Sequence, residues 1–425
     1  MFYLAIAIFV ITYAGIMLEK IPRTYVALAG GLAMIFLGLL TQDDALRKYI
    51  DFNTLGLLVG MMMMVGVIRK CGIFEALAIW ATKITRARPM ILLALLSVIT
   101  AIASSLFDSV TAVLLLAPMS ITLARRMEIE PYPFLIMEIL ISNIGGTALM
   151  IGNPPNVMIG SATGLTFNAF FMNLAPGVVL TMLVIVPILA FIYRRDLTMK
   201  KPLRAEQLQA LDPLSEIKDW SLLYKSLIVM AITILGFVLH SVIHIPTAVL
   251  AMAGATVLMV LSGTDVEEAM AYVQWDTLFF FMGLFVLVGG LEEAGVIDAL
   301  AHAALTVTDG DLLVSASLIM WLAAIASAFV DNIPFTATMI PVITQLQQLM
   351  GSQADVLWWS LALGACYGGN GTLIGASPNL IIASLAGQEG YRISFLRFMK
   401  LSFPLMLLSV LVAQVYIYAR YFLFG

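Results

Sequence analysis

The chain has 425 residues, of which 61% are hydrophobic and 11% charged, with a net charge of −4. Soluble domains carry roughly a quarter charged residues, so this composition excludes a soluble enzyme, and basic residues confined to loops exclude a nucleic-acid binder. Two cysteines, Cys71 and Cys366, fit no disulfide, metal-ligand or redox spacing, so neither a metal nor a cofactor is expected.

Apolar stretches long enough to cross a bilayer recur from end to end. The first, Phe2–Met17, lacks a basic leader and a small-residue cleavage site and reads as a retained span. Further spans are expected near 24–40 and 53–68. An apolar stretch near 90–123 is interrupted at Asp108. A span near 134–165 is broken by "IGGTALMIGNPPN" (Ile144–Asn156), and a last span lies near 174–193. The basic, polar stretch 194–225 reads as a cytoplasmic linker. Beyond it, spans are expected near 224–240, 246–262, 276–290, 312–347, 355–386 and 401–423.

The second series repeats the first. "YGGNGTLIGASPN" (Tyr367–Asn379) matches the break at an offset of 223 residues, and the same offset carries Asp108 to Asp331 and Pro118 to Pro341. It also lays Phe52–Ala78 on Trp275–Ala301. One ungapped offset across three segments divides the chain into repeats at 1–193 and 226–425.

Each apolar stretch interrupted by aspartate could be two spans or a re-entrant hairpin, and charge decides. The flanks of the first carry Lys83, Arg86, Arg88, Arg125 and Arg126, so both belong on the cytoplasmic side. Each repeat then has five spans plus one hairpin, and the second is inverted. Nineteen of the 22 Lys and Arg fall inside, leaving Arg47, Lys48 and Arg420 outside. Arg69-Lys70 becomes Glu292-Glu293 at the equivalent place, as inversion requires. The expected fold is therefore an all-α polytopic protein of the inner (plasma) membrane, with both termini extracytoplasmic.

Inverted repeats with broken helices point to a secondary transporter whose site lies near the midplane. Glycine and proline free backbone groups that lipid cannot satisfy, and the freed helix ends offer N–H and C=O groups to a solute. The candidate first set is Asp108, Ser109, Thr111, Asn143, Gly152, Asn153 and Asn156. The second is Asp331, Asn332, Thr336, Gly375, Ser377 and Asn379. A carboxylate at mid-membrane costs roughly 2.5–3.5 kcal/mol on insertion scales, so Asp108 and Asp331 should be partnered, protonated or bound to a cation. Either could also cap its own hairpin tip, and the asparagines could simply satisfy their own loops. Glu138 stands in an apolar run and is a candidate proton relay or a lone interfacial residue. Asn53 and Asp276 read as helix N-caps, and the Met61–Met64 run reads as packing.

These residues resemble the ion transporter superfamily, which includes arsenite/antimonite permeases, the melanocyte P protein, D-type sodium/proton antiporters and dicarboxylate/sodium symporters. The resemblance covers nearly the whole chain and rests on "FDSVTAVLLLAP", "SNIGGTALMIGNPPN", "DNIPFTATMIP" and "GGNGTLIGASPN". The aspartates at the tips place it nearest the arsenite permease and P-protein branch. Ser109 departs from the asparagine usual there. The resemblance implies a scaffold domain, a moving transport domain, an elevator motion and, in several members, a homodimer. The expected function is proton-coupled export of arsenite or antimonite. The alternatives are sodium/proton antiport, with H+ or Na+ on the same acids, and transport of another small anion. No phosphate-binding loop is present, so ATP drive would require a separate ATPase partner.

Overall fold

The computed structural model describes residues 1–18, 20–198 and 212–423. Linker residues Lys200, Lys201 and Arg204 lie outside the described residues. Those described form helices and loops without a strand. Apart from short turns, the first half contains α1 (Phe2–Leu18), α2 (Arg23–Phe36), α3 (Phe52–Arg69), α4 (Ile73–Ile84), α5 (Pro89–Phe107), α6 (Ser109–Arg126), α7 (Tyr132–Gly146), α8 (Pro154–Thr163) and α9 (Phe167–Ile192). The second contains α10 (Trp220–Ile243), α11 (Thr247–Ser262), α12 (Trp275–Glu293), α13 (Val296–Thr308), α14 (Leu312–Val330), α15 (Asn332–Met350), α16 (Val356–Gly368), α17 (Ser377–Gln388) and α18 (Phe395–Tyr418).

The two series keep step. The starts of α3, α4, α5, α6 and α8 (Phe52, Ile73, Pro89, Ser109 and Pro154) lie 223 residues before those of α12, α13, α14, α15 and α17. Among the described residues eight helical segments are long and apolar enough to cross a membrane. They include α5, α6 and α14, so each leg of the first hairpin is as long as a full span.

The helices sort into two bodies, and each body draws on both halves of the chain. In one, α2 packs on α12 and α3 on α11, with α1 and α10 outside them. Small residues let the backbones touch: a Cβ on Gly60 would lie 2.6 Å from the Ala251 carbonyl carbon, and one on Gly283 2.6 Å from that of Ala27. In the other body, α5 packs on α7 and α14 on α16, and each restarting helix packs against the opposite hairpin, α8 on α15 and α17 on α6.

Three features differ from the sequence reading. Helices α4 and α13, 12 and 13 residues long, follow the glycine turns at Gly72 and Gly295, which hold φ of 81° and 77°. At 1.5 Å per residue neither spans a bilayer, and a reading tuned to long apolar windows passed over them. Second, the cap of α3 is Asp51, which accepts hydrogen bonds from the backbone N–H of Asn53 and Thr54. Asn53 instead reaches Ser161 on α8 at 3.1 Å. Asp276 does not cap α12, whose N-cap position is Gln274. Third, the linker's far end is structured: Lys218 N–H donates to the Cys71 carbonyl (3.0 Å), and α10 begins at Trp220.

Candidate functional site

Each hairpin turns on one aspartate held at positive φ. Asp108 has φ 76° and ψ 151°, and Asp331 has φ 87° and ψ 144°. This region is nearly glycine-only, and a residue with a Cβ persists there at a cost of about 1–3 kcal/mol. Each carboxylate caps the helix that follows. Asp108 Oδ1 accepts from Val110 N–H (2.7 Å) and Thr111 N–H (3.3 Å), and its Oδ2 accepts from the Thr111 hydroxyl (2.6 Å). Asp331 Oδ1 accepts from Ile333 N–H at 3.1 Å.

The tips also differ in their charged partners. Asp331 Oδ2 is held at 2.7 Å by the guanidinium of Arg23, the first residue of α2. A second guanidinium nitrogen of Arg23 donates to Ser377 Oγ at 2.9 Å, and the group lies over the Phe280 ring, 5.0 Å from its centroid. The sequence reading counts Arg23 with the basic loop residues. The structure gives it a partner at the hairpin tip, 308 residues away in the chain. A cation at a helix N-terminus opposes the helix dipole, so helix stability does not account for it.

The two tips meet at one small cavity of about 20 Å³, room for roughly one water. From the candidate sets it is lined by Asp108, Ser109, Asn332 and Ser377. Pro154 and Pro378, in the first turns of the restarting helices, close it on one side, and Leu58, Met62, Gln274 and Thr277 on the other. The latter four come from α3 and from the start of α12, so the cavity sits between the two bodies. Ser109 N–H donates to the Gly152 carbonyl (3.0 Å), fastening the first tip to the first break. Closeness fixes Gly152 itself, since a Cβ there would lie 2.3 Å from the Gly146 carbonyl oxygen. Gly375 stands likewise 2.7 Å from the Gly369 oxygen.

The asparagines form a separate, fully buried group. Asn156 donates to the carbonyls of Thr147 and Leu149 (both 2.9 Å), and Asn379 to those of Gly369 (2.7 Å) and Thr372 (2.8 Å). Each thereby ties off the carbonyls freed by its own break. Asn143 Nδ2 bridges the halves, donating to Asn370 Oδ1 (2.9 Å) and Asn379 Oδ1 (3.0 Å), while Asn153 donates to the Asn143 carbonyl (3.0 Å). Thr336 donates back to the Asn332 carbonyl within its own helix. Glu138 lies away from the cavity between α6 and α7. Its Oε1 accepts from the Ser120 hydroxyl, and its Oε2 is buried without a partner.

A larger cavity of about 830 Å³ opens between the bodies, lined by Lys48–Phe52 and Glu292–Asp298 on one wall and by α8 and α15 on the other. Its lining residues Met158 and Ala337 stand one helical turn beyond Pro154 and Ile333 of the small cavity. The vestibule thus approaches within about 6 Å along those helices. Sequence reasoning missed Arg23, Gln274, Thr277 and Asn370. Only Asn370 carried a local signal, standing inside the repeated glycine segment.

The chain matches the family model described as CitMHS, citrate transporter, over residues 13–364. It is 40% identical over 423 residues to an uncharacterized transporter of Mycobacterium tuberculosis, covering 98% of each chain. It is 36% identical to a 46 kDa membrane protein of Mycobacterium leprae, again covering 98% of each. The human P protein is 34% identical, with 99% of this chain covered and 60% of that one. Among solved structures, the YdaH transporter of Alcanivorax borkumensis shares the fold at a TM-score of 0.61 and 12% identity, covering 92% of this chain and 95% of that one. The kinship to P protein agrees with the resemblance read from the hairpin and break motifs, and the chain belongs to the CitMHS citrate transporter family, as a multi-pass membrane transporter.

Proposed function

We propose that the chain is a proton-coupled secondary transporter that exports arsenite or antimonite, moving the hairpin body against the α2–α3–α11–α12 body as an elevator. The observation that carries this reading is the convergence of both hairpin tips on one cavity between the two bodies, the first through Asp108 and Ser109 and the second through Asn332 and Ile333, next to Asp331. With its acids ionised the site bears two negative charges and one positive, Asp108, Asp331 and Arg23. A polyanion would be repelled, whereas an uncharged oxyacid such as As(OH)3, for which the one-water cavity must widen as the bodies part, finds hydroxyl and amide oxygens on Ser109, Asn332, Ser377 and Gln274. The site residues of both sets act as two inverted repeats, and the asparagines hold the breaks open. Glu138 serves as a relay for the proton.

One observation favours a second reading. Arg23 stands ready to bind a carboxylate if Asp331 takes a proton, which suits a citrate-like substrate entering with protons. Proteoliposomes separate the two. Arsenite or antimonite uptake driven by an imposed pH gradient, without citrate uptake, supports the first reading. Proton-driven citrate uptake without arsenite transport overturns it, and sodium-driven proton movement with neither solute points to plain sodium/proton antiport.

A further inference from the structure

The two tips share backbone geometry and a capping carboxylate, yet only the second is neutralised by a residue of the other body. Arg23 is held there from its own side, as the first residue of α2 lying on the α12 ring of Phe280. A second contact runs in parallel. The Tyr13 hydroxyl on α1 donates to the Pro334 carbonyl (2.6 Å) and shares a hydrogen bond with the Thr338 hydroxyl (2.7 Å), both on α15. Both tethers therefore join the α1–α2 unit to the second hairpin. The residues 223 positions after Tyr13 and Arg23 are Gly236 and Pro246. Neither has a side chain that could hold the first tip.

We propose that Arg23 is a counter-charge fixed to the stationary body, and that Asp331 exchanges it for a free cation, a proton or sodium ion, when the hairpin body moves. The inference rests on the elevator reading given above. Arginine keeps its proton in proteins, so it cannot release Asp331 by titrating. Asp331 is 5% exposed, and a buried carboxylate separated from its partner is strongly disfavoured unless another cation replaces it. Motion of the hairpin is thus conditional on cation arrival at Asp331. Among the described residues, Asp108 is the charged residue that lines the small cavity, which the second tip reaches through Asn332 and Ile333. Gln274, Thr277 and Ser377, which approach from α12 and α17, are neutral. Among the described residues Asp108 has no arginine partner, and as a member of the moving body it carries its cation, if loaded, in either position.

The test uses the full chain in proteoliposomes with a reporter for this conformation. Asn53 Nδ2 and Ser161 Oγ lie 3.1 Å apart across the two bodies, so the Asn53→Cys/Ser161→Cys pair crosslinks with Hg2+ in this state. Native Cys71 and Cys366 are buried. With Arg23 present, one cation exchanged per movement changes the ratio of uncrosslinkable to crosslinkable protein by about tenfold for each tenfold change in proton or sodium concentration. In Arg23→Gln the change falls below about twofold, and Asp331→Asn behaves the same way. Arg23→Lys, which keeps the charge, retains the slope with a shifted midpoint. Should Arg23→Gln fail to assemble, Arg23→Lys against Asp331→Asn provides the same contrast. An unchanged slope in Arg23→Gln, or in Asp331→Asn, overturns the latch while leaving coupled transport intact. Indifference of the parent protein's crosslinking and of its solute transport to both cations would instead remove the coupling reading itself.

Discussion

Replacing Asp108 by glycine should stabilise the protein while ending coupled transport. Asp108 sits at φ 76° and ψ 151°, where relief of backbone strain is worth about 1–3 kcal/mol. Losing the cap to glycine costs a few tenths of a kcal/mol, and the freer unfolded glycine takes back about 0.5–1 kcal/mol. The balance is a gain of about 1 kcal/mol. Asp331→Gly removes the same strain but strands Arg23, whose side chain is 26% exposed. Breaking a buried pair costs about 3–5 kcal/mol. Discounting that for partial exposure leaves a net loss of about 1–2 kcal/mol. Thermal denaturation in detergent, followed by loss of the monodisperse gel-filtration peak, orders the variants: Asp108→Gly above the parent, Asp331→Gly below it. Asp108→Asn keeps both cap and strain and should melt with the parent. Opposite orders, or an Asp108→Gly protein that melts low and still couples protons to solute, would refute the idea that strain is maintained at the tip for function.

Asn156→Ala orphans two buried carbonyls, at about 2–6 kcal/mol before relaxation. Asn379→Ala also removes one of the two acceptors that the Asn143 amide has across the halves, so its melting temperature should fall further, and equal losses would refute the cross-brace. Gly152→Ala, with its Cβ 2.3 Å from the Gly146 oxygen, should fail to yield folded protein, whereas Gly387→Ala, with nothing within 4 Å, should be silent in expression and melting. Glu138→Gln sets an amide N–H2 where the second carboxylate oxygen has no partner, so its melting temperature should fall modestly. It should also lower proton-driven uptake while sparing solute counterflow. Full proton-driven uptake in that variant would remove Glu138 from the proton path.

The repeat made much of this architecture legible. A single offset located both aspartates, both glycine segments and the prolines that restart α8 and α17, because backbone breaks in an apolar chain demand residue types that stand out. Their partners did not stand out. Arg23 looks like an ordinary loop cation, and nothing near it in sequence announces an aspartate 308 residues away. Gln274 and Thr277 are unremarkable at a helix start until the second body faces them. The sequence places asparagines at the breaks, but which carbonyls each amide meets depends on how seven or eight irregular residues fold back, and periodicity carries no such information. Asp51 lies two residues before the expected span, and nothing in the local sequence says that it rather than Asn53 caps α3.

The Asn143–Asn370 and Asn143–Asn379 bonds also bear on how the chain is made. Asn143 emerges from the ribosome 227 residues before Asn370. At about 5–20 residues per second, the side chain waits about 10–45 s for its partner. Throughout that interval α7 carries a polar amide with its cross-half acceptors missing, next to a break already in place. The brace between the halves therefore closes only when α16 and α17 arrive, and until then the Asn143 amide has the Ile139 carbonyl of its own helix, at 3.4 Å, as its acceptor. Synthesis of the second half is the step that gives Asn143 its acceptors across the halves.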